Sequence, residues 1–209
     1  MYVEGPIELL DAVGEWHWDS AARVLTVAYN GTSHDGSETL VAAQLAELIR
    51  VTGSHAAPVT GVTLSGLTFA HTLTDFFFPF TVPSGGDWSY HDGGMLRLSG
   101  TENVGVLANV FLAPGGNGLM ISGHNRATVV RGNHFAWTGS NAVVSAGLGG
   151  GTPTGGADFP EGTLLEGNIM REIGVYVKQS GGYYQGVSAN ATIRNNVMFN
   201  AARAAINIK

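Results

Sequence analysis

Four stretches of this chain carry the same alternation of apolar and polar positions around an asparagine. They read Val106-Leu-Ala-Asn109-Val-Phe111, Val130-Arg-Gly-Asn133-His-Phe135, Leu165-Glu-Gly-Asn168-Ile-Met170 and Ile193-Arg-Asn-Asn196-Val-Met198, with gaps between the asparagines of 24, 35 and 28 residues. Each has an aliphatic residue three places before the Asn and a large apolar residue two places after it. Self-similarity at such a period marks a solenoid rather than a mixed globular fold. The period-2 alternation on each side predicts one short strand before the Asn and another after it. When coils of about 22–28 residues stack at the strand spacing of ~4.8 Å, equal positions lie above one another. Val106, Val130, Leu165 and Ile193 then form one inward file, and Phe111, Phe135, Met170 and Met198 another. The Asn amides hydrogen-bond from coil to coil, as in cross-β ladders. The predicted fold class is all-β, a parallel β-helix.

The rest of the chain is placed around these repeats. Residues 62–69 read as an earlier repeat, with Gly66 where the later ones have Asn. The outward position before each corner holds Leu107, Arg131, Glu166 and Arg194, a row of alternating charge that marks Glu166 as a structural partner of two arginines. Residues 1–40 read as a small β-structured region: strand over 10–19, turn, strand over 23–29. Residues 41–209 are the solenoid, with insertions near 70–93 and 147–161. A strand is expected over 48–51, and the pattern over 40–47 also permits a short helix. The last repeat runs into the apolar stretch 204–209 with no polar cap. An uncapped sheet edge is an aggregation hazard, so the expectation is a fragment of a longer protein, or an end covered by further coils or another chain.

Composition narrows the options. With 31 glycines and only 12% charged residues among 209, tight turns and short strands are favoured over solvated helices. The absence of cysteine excludes disulfides and thiolate-bound zinc or iron–sulfur sites. A net charge of −6 with no basic stripe argues against nucleic acid. No run of about 18 apolar residues is present to span a membrane. Residues 1–5 show no basic and apolar leader pattern of a signal peptide.

Further motifs carry a resemblance. Leu9-Leu-Asp-Ala-Val-Gly-Glu-Trp-His-Trp-Asp19, Gly66-Leu-Thr-Phe-Ala-His-Thr72, Pro83-Ser-Gly-Gly-Asp-Trp88, Gly116-Asn-Gly-Leu-Met-Ile-Ser-Gly-His-Asn-Arg126 and Glu172-Ile-Gly-Val-Tyr-Val-Lys-Gln-Ser180 occur in this order. Together with the repeats, they resemble the right-handed parallel β-helix proteins of the pectin-lyase-like superfold. Within it, they resemble a group of glycoside-hydrolase-like proteins of bacteria and algae. The chain departs from that group in having Val177 beside Lys178, where a charged residue is expected, and in being short. The resemblance implies a polysaccharide or oligosaccharide as partner and an extracellular or cell-surface setting.

Sugar cleavage needs two carboxyl groups facing one glycosidic bond, and aromatic faces and hydrogen-bonding groups to hold the sugar. On this scaffold the insertions would wall a groove. The first offers Asp87, Trp88, Tyr90, His91 and Asp92; the next repeat offers His124 and Asn125; the second insertion offers Asp158. The polar and aromatic run that follows offers Glu172, Lys178, Gln179, Tyr184 and Gln185. The candidate catalytic carboxyls are Asp92, Asp158 and Glu172. The candidate substrate-binding residues are Trp88, His91, His124, Asn125, Lys178, Gln179, Tyr184 and Gln185. No second histidine stands two or four residues from His124, so local spacing suggests no metal site and no cofactor. Three functions stay open: a glycoside hydrolase, a non-catalytic glycan-binding or structural β-helix, and, ranked last, a lyase, which would need clustered calcium-binding acids.

Overall fold

The computed structural model describes residues 6–30, 39–75, 78–82, 88–148 and 158–209. Asp87, Phe76, Phe77 and the Gly-rich part of the second insertion lie outside the described residues. The chain divides into two compact units, Met1–Val41 and Ala42–Lys209. The first holds a short 3-10 turn, Ile7–Leu9, and an antiparallel hairpin of Trp16–Asp19 with Val24–Val27. These strands are shorter than the alternation predicts. The Asp19 carboxylate closes the turn by accepting from the N–H groups of Ala22 and Ala21, both at 2.9 Å. Those two bonds hold its pKa below the usual carboxylate value.

The second unit is all-β, built from parallel sheets, and no α-helix occurs among the described residues. Residues 40–47 are therefore not helical, and the first strand starts at Ile49. One sheet runs in chain order through Ile49–Thr52, Leu96–Glu102, Leu119–Arg126, Val143–Ala146, Gly181–Gly186 and Ala204–Ile208. Two short strands, Val59–Thr60 and Pro160–Glu161, pair beside it with Leu96–Glu102 and Leu119–Arg126. A second sheet orders Thr63–Ser65, Gly105–Leu107, Val129–Arg131, Leu164–Glu166 and Thr192–Arg194. A third orders Thr68–Ala70, Val110–Leu112, His134–Thr138, Ile169–Ile173 and Val197–Ala201. The chain thus visits the three sheets in turn.

The register is the one the repeats require. Leu64, Val106, Val130, Leu165 and Ile193 are successive partners, as are Phe69, Phe111, Phe135, Met170 and Met198. Both files point into one core, where Val106, Val130, Leu165, Phe111, Phe135 and Met170 are fully buried. Phe111 and Phe135 stack at 4.5 Å and 7°, close to the strand spacing itself.

The asparagines form a ladder. Asn133 Oδ1 accepts from the backbone N–H and the Nδ2 of Asn109, at 2.9 and 3.1 Å. Asn168 Oδ1 does the same for Asn133, at 2.9 Å each, and Asn196 Oδ1 for Asn168, at 2.9 Å each. Each Nδ2 also donates to the carbonyl of a neighbouring strand: Leu64, Val106, Val130 and Leu165 in turn. These bonds satisfy the backbone where it turns between the second and third sheets.

The residue before each Asn is left-handed: Ala108 (φ 51), Gly132 (φ 67), Gly167 (φ 64) and Asn195 (φ 56). Gly66 (φ 69) occupies this same place. The alignment of Gly66 with the asparagines is therefore off by one. Leu67 stands at the Asn position, and its N–H donates to Asn109 Oδ1 at 3.0 Å. Outside this corner, Glu166 accepts from Arg194 at 2.7 Å and Arg131 at 2.8 Å. The Arg194 bond foremost, then Arg131, lowers its pKa, as the row of alternating charge predicts.

A second, shorter ladder was not evident in the sequence. Asn117 Oδ1 accepts from the N–H and Nδ2 of Asn141, at 3.1 and 3.0 Å, and Asn141 Oδ1 accepts from Gly181 N–H at 2.9 Å. Asn117 Nδ2 donates to the carbonyls of His91 and Gly93, at 3.0 and 2.8 Å. That pair of bonds fixes the segment carrying Asp92.

Candidate functional site

The face of the eight-stranded sheet turned away from the core carries one row across its strands: Arg50, Arg97, Met120, Val144, Tyr184 and Asn207. The row is charged at one side and apolar in the middle. Met120, Val144 and Tyr184 are covered by Trp88 and Tyr90 from the first insertion, making a second apolar cluster. Trp88 and Tyr184 stack on each other at 6.0 Å, with Trp88 only 6% exposed and Tyr184 fully buried. Neither presents a free face to a sugar. Tyr184 is an internal residue whose hydroxyl pKa is pushed up by burial.

At the charged side lies a cleft of about 570 Å³, lined among others by Glu47, Arg50, Asp75, His91, Asp92 and Asn117. Two arginines are register partners here, Arg50 and Arg97, and like charges side by side need counter-ions. Glu47 meets Arg50 at 2.6 Å and Asp92 meets Arg97 at 2.9 Å. Arg97 also donates to Ser122 Oγ at 3.3 Å. His91 is held by a 3.0 Å bond from its Nδ1 to the Pro79 carbonyl and by the rings of Phe78 and Phe80.

The third carboxyl of the cleft is Asp75, which sequence reasoning missed. It is 3% exposed. One oxygen accepts from Ser140 Oγ at 3.1 Å; the other is buried without a hydrogen-bond partner. Gly116 makes room for it, because a Cβ there would meet the Asp75 carboxyl. Burial pushes the Asp75 pKa up, against smaller opposing effects of His91 and the Ser140 bond. The cleft therefore sets a carboxyl that favours its proton in the same wall system as Asp92, a carboxylate ion-paired to arginine. Two carboxyl groups in contrasting surroundings form the usual division of labour between acid and base.

The other predicted residues lie elsewhere. Glu172 (φ 52) accepts from Asn200 Nδ2 at 2.7 Å and lines a shallower cavity of about 310 Å³ with Lys178. Lys178 does not pair with it but donates to the carbonyls of Val175 and Gly174, at 2.8 and 3.0 Å. Gln179 is half-buried beside it. Gln185 is tied to Tyr183 and Ser188. Asn125 is buried, accepting from Thr101 at 2.6 Å and donating to Ser122 at 2.8 Å, where it pins the register shift between Ser122 and Asn125. His124 meets Glu102, and Asp158 meets His55. Asp92, Asp158 and Glu172 thus have three different partners, Arg97, His55 and Asn200, and only Asp92 lines the large cleft.

No protein-family model and no curated protein matches the sequence. Among solved structures, the chain is similar to a protein described as a glycoside hydrolase. The TM-score is 0.69 and the identity 17%, over 87% of this chain and 38% of that one. The likeness is one of fold, and the chain spans well under half of that neighbour's length.

Proposed function

We propose that the second unit is a right-handed parallel β-helix of a polysaccharide-active, glycoside-hydrolase-like protein, and that Asp75 and Asp92 are its working carboxyls. The solenoid reading is supported by the chain order of all three parallel sheets and by the asparagine ladder. The observation that carries the functional reading is Asp75: a buried carboxyl with one unpartnered oxygen, belonging to the wall of the cleft that Asp92 also lines. The fold of the glycoside hydrolase neighbour agrees with this reading.

In this mechanism the protonated Asp75 gives its proton to the glycosidic oxygen as the C1–O bond breaks. Asp92 either takes a proton from the water that attacks C1, or bonds to C1 itself until a water, giving its proton back to Asp75, displaces it; in both cases water supplies the new hydroxyl. Arg50 and His91 line the cleft and hold sugar hydroxyls, and Arg97 positions Asp92. The test is release of reducing ends from a panel of plant and algal polysaccharides by the purified chain. Asp75→Asn and Asp92→Asn are each expected to lower turnover by at least about 100-fold, the ordinary contribution of such a group, with the circular dichroism spectrum unchanged. Turnover that survives both substitutions would remove this pair from the reaction. Saturable sugar binding without turnover in the unaltered chain would favour a glycan-binding protein instead.

A further inference from the structure

A second cluster of chemistry-bearing side chains lies apart from the cleft residues, and none of it is used by the proposed reaction. His55 sits in the turn after Ile49–Thr52, a turn closed by Ser54 and Ala57. His124 sits at the register shift of Leu119–Arg126. Asp158 directly precedes Phe159 and the short strand Pro160–Glu161, which pairs with Asn125 and Arg126. Strand stacking alone brings these three distant residues together. One ligand atom from each lies within 4.8 Å of the other two.

Two observations beyond proximity point to a ligand. His124 is 5% exposed, and its Nδ1 is buried with no hydrogen-bond partner. Its Nε2 is 3.0 Å from Glu102 Oε1. A carboxylate accepting from Nε2–H places the proton there and leaves Nδ1 with a lone pair. A histidine held by a carboxylate on one nitrogen and bare on the other is the usual support arrangement behind a metal ligand. The His55 ring stacks on the face of the His124 ring at 4.1 Å and 16°, and His55 Nδ1 is 3.4 Å from Asp158 Oδ1. The side chains of His55 and Asp158 are 51% and 46% exposed, so they have room to turn toward a shared ion.

We propose that His55, His124 and Asp158 bind one divalent cation of the zinc class, with Glu102 orienting His124. Two imidazoles and one carboxylate, with no thiolate, suit zinc, nickel or copper and not the all-oxygen shells of calcium or magnesium. Three protein ligands leave a further position for water. The ion ties the turn after the first strand to the segment that leads into Pro160–Glu161, so it acts as a staple across this sheet.

Isothermal titration of the full chain, first stripped with chelator, with Zn²⁺ is expected to give one ion per chain. Co²⁺ in its place is expected to give the visible absorption of a low-symmetry nitrogen–oxygen site. His55→Ala and Asp158→Asn change exposed side chains and leave folding intact. Each is expected to weaken Zn²⁺ binding at least about 10-fold, and Glu102→Gln to weaken it by about 10–100-fold, the usual cost of losing such a support. A rise in thermal midpoint with Zn²⁺ is expected in the unaltered chain and not in His55→Ala. Binding that is absent from the unaltered chain, or that is as tight in His55→Ala and Asp158→Asn as in the unaltered chain, would overturn the proposal.

Discussion

Asn133→Ala tests whether the asparagine ladder holds the fold or merely decorates it. The substitution removes the amide that receives both Asn109 bonds and that donates to Val106 and Asn168. Asn109 Nδ2 keeps its bond to Leu64, and Asn168 Oδ1 keeps the backbone N–H of residue 133. The buried Asn109 N–H loses its partner outright. One orphaned buried donor costs about 1–3 kcal/mol, and the further lost bonds add about 0.5–1.5 kcal/mol each. With three further bonds lost, the expected loss is about 2.5–7.5 kcal/mol. For a chain of this size that corresponds to a thermal midpoint about 5–30 °C lower, at ~2–4 °C per kcal/mol. Asn196→Ala is the internal comparison. Its amide is only part-buried, so water replaces much of what is lost, and about 1 kcal/mol is expected. Urea unfolding followed by circular dichroism measures both. Equal losses, each below about 1 kcal/mol, would refute the view that the buried ladder carries stability.

Two other outcomes follow from the same geometry. Ala108 occupies a left-handed corner that Gly132 and Gly167 fill without strain. Ala108→Gly is expected to gain about 0.5–1 kcal/mol in urea unfolding, the relief of about 1–2 kcal/mol of strain less the added freedom of the unfolded glycine. Asp75 supplies a pH dependence. Its folded pKa lies above the unfolded value of about 3.9, so the folded chain holds this proton more tightly. Its contribution to stability is therefore full below about pH 4 and declines as pH rises through the raised folded value, levelling off above it. Asp75→Asn is expected to flatten that slope and raise stability at neutral pH. An unchanged slope in a pH series of unfolding curves would contradict the buried, proton-favouring carboxyl.

The inward files and the outer charge row were legible because they recur: a residue type repeated at one place in every repeat is a statement about stacking. Gly66 was misaligned because a glycine beside a corner looks like a replaced asparagine, when it marks the left-handed residue before it. Alternation gives the outward direction of Tyr184 but does not show that Trp88 of an insertion covers it. Asp75 had no motif around it, and its importance comes from Gly116 and Ser140, which reach it only through folding. His55 and His124 illustrate the same gap: their rings stack because parallel strands bring residues of different repeats together, which spacing within one element does not show.

The asparagine file also has a direction. Every side-chain carbonyl from Asn133 to Asn196 points back toward the preceding amide, and every Nδ2 from Asn109 to Asn168 points on toward the next. The amide dipoles are therefore aligned head to tail, and each polarises its neighbours. Reversing one amide would set oxygen against oxygen on one side and nitrogen against nitrogen on the other. The orientation of any one of these side chains is thus decided by all of them together, and the row behaves as a single electrical object running across the stacked strands.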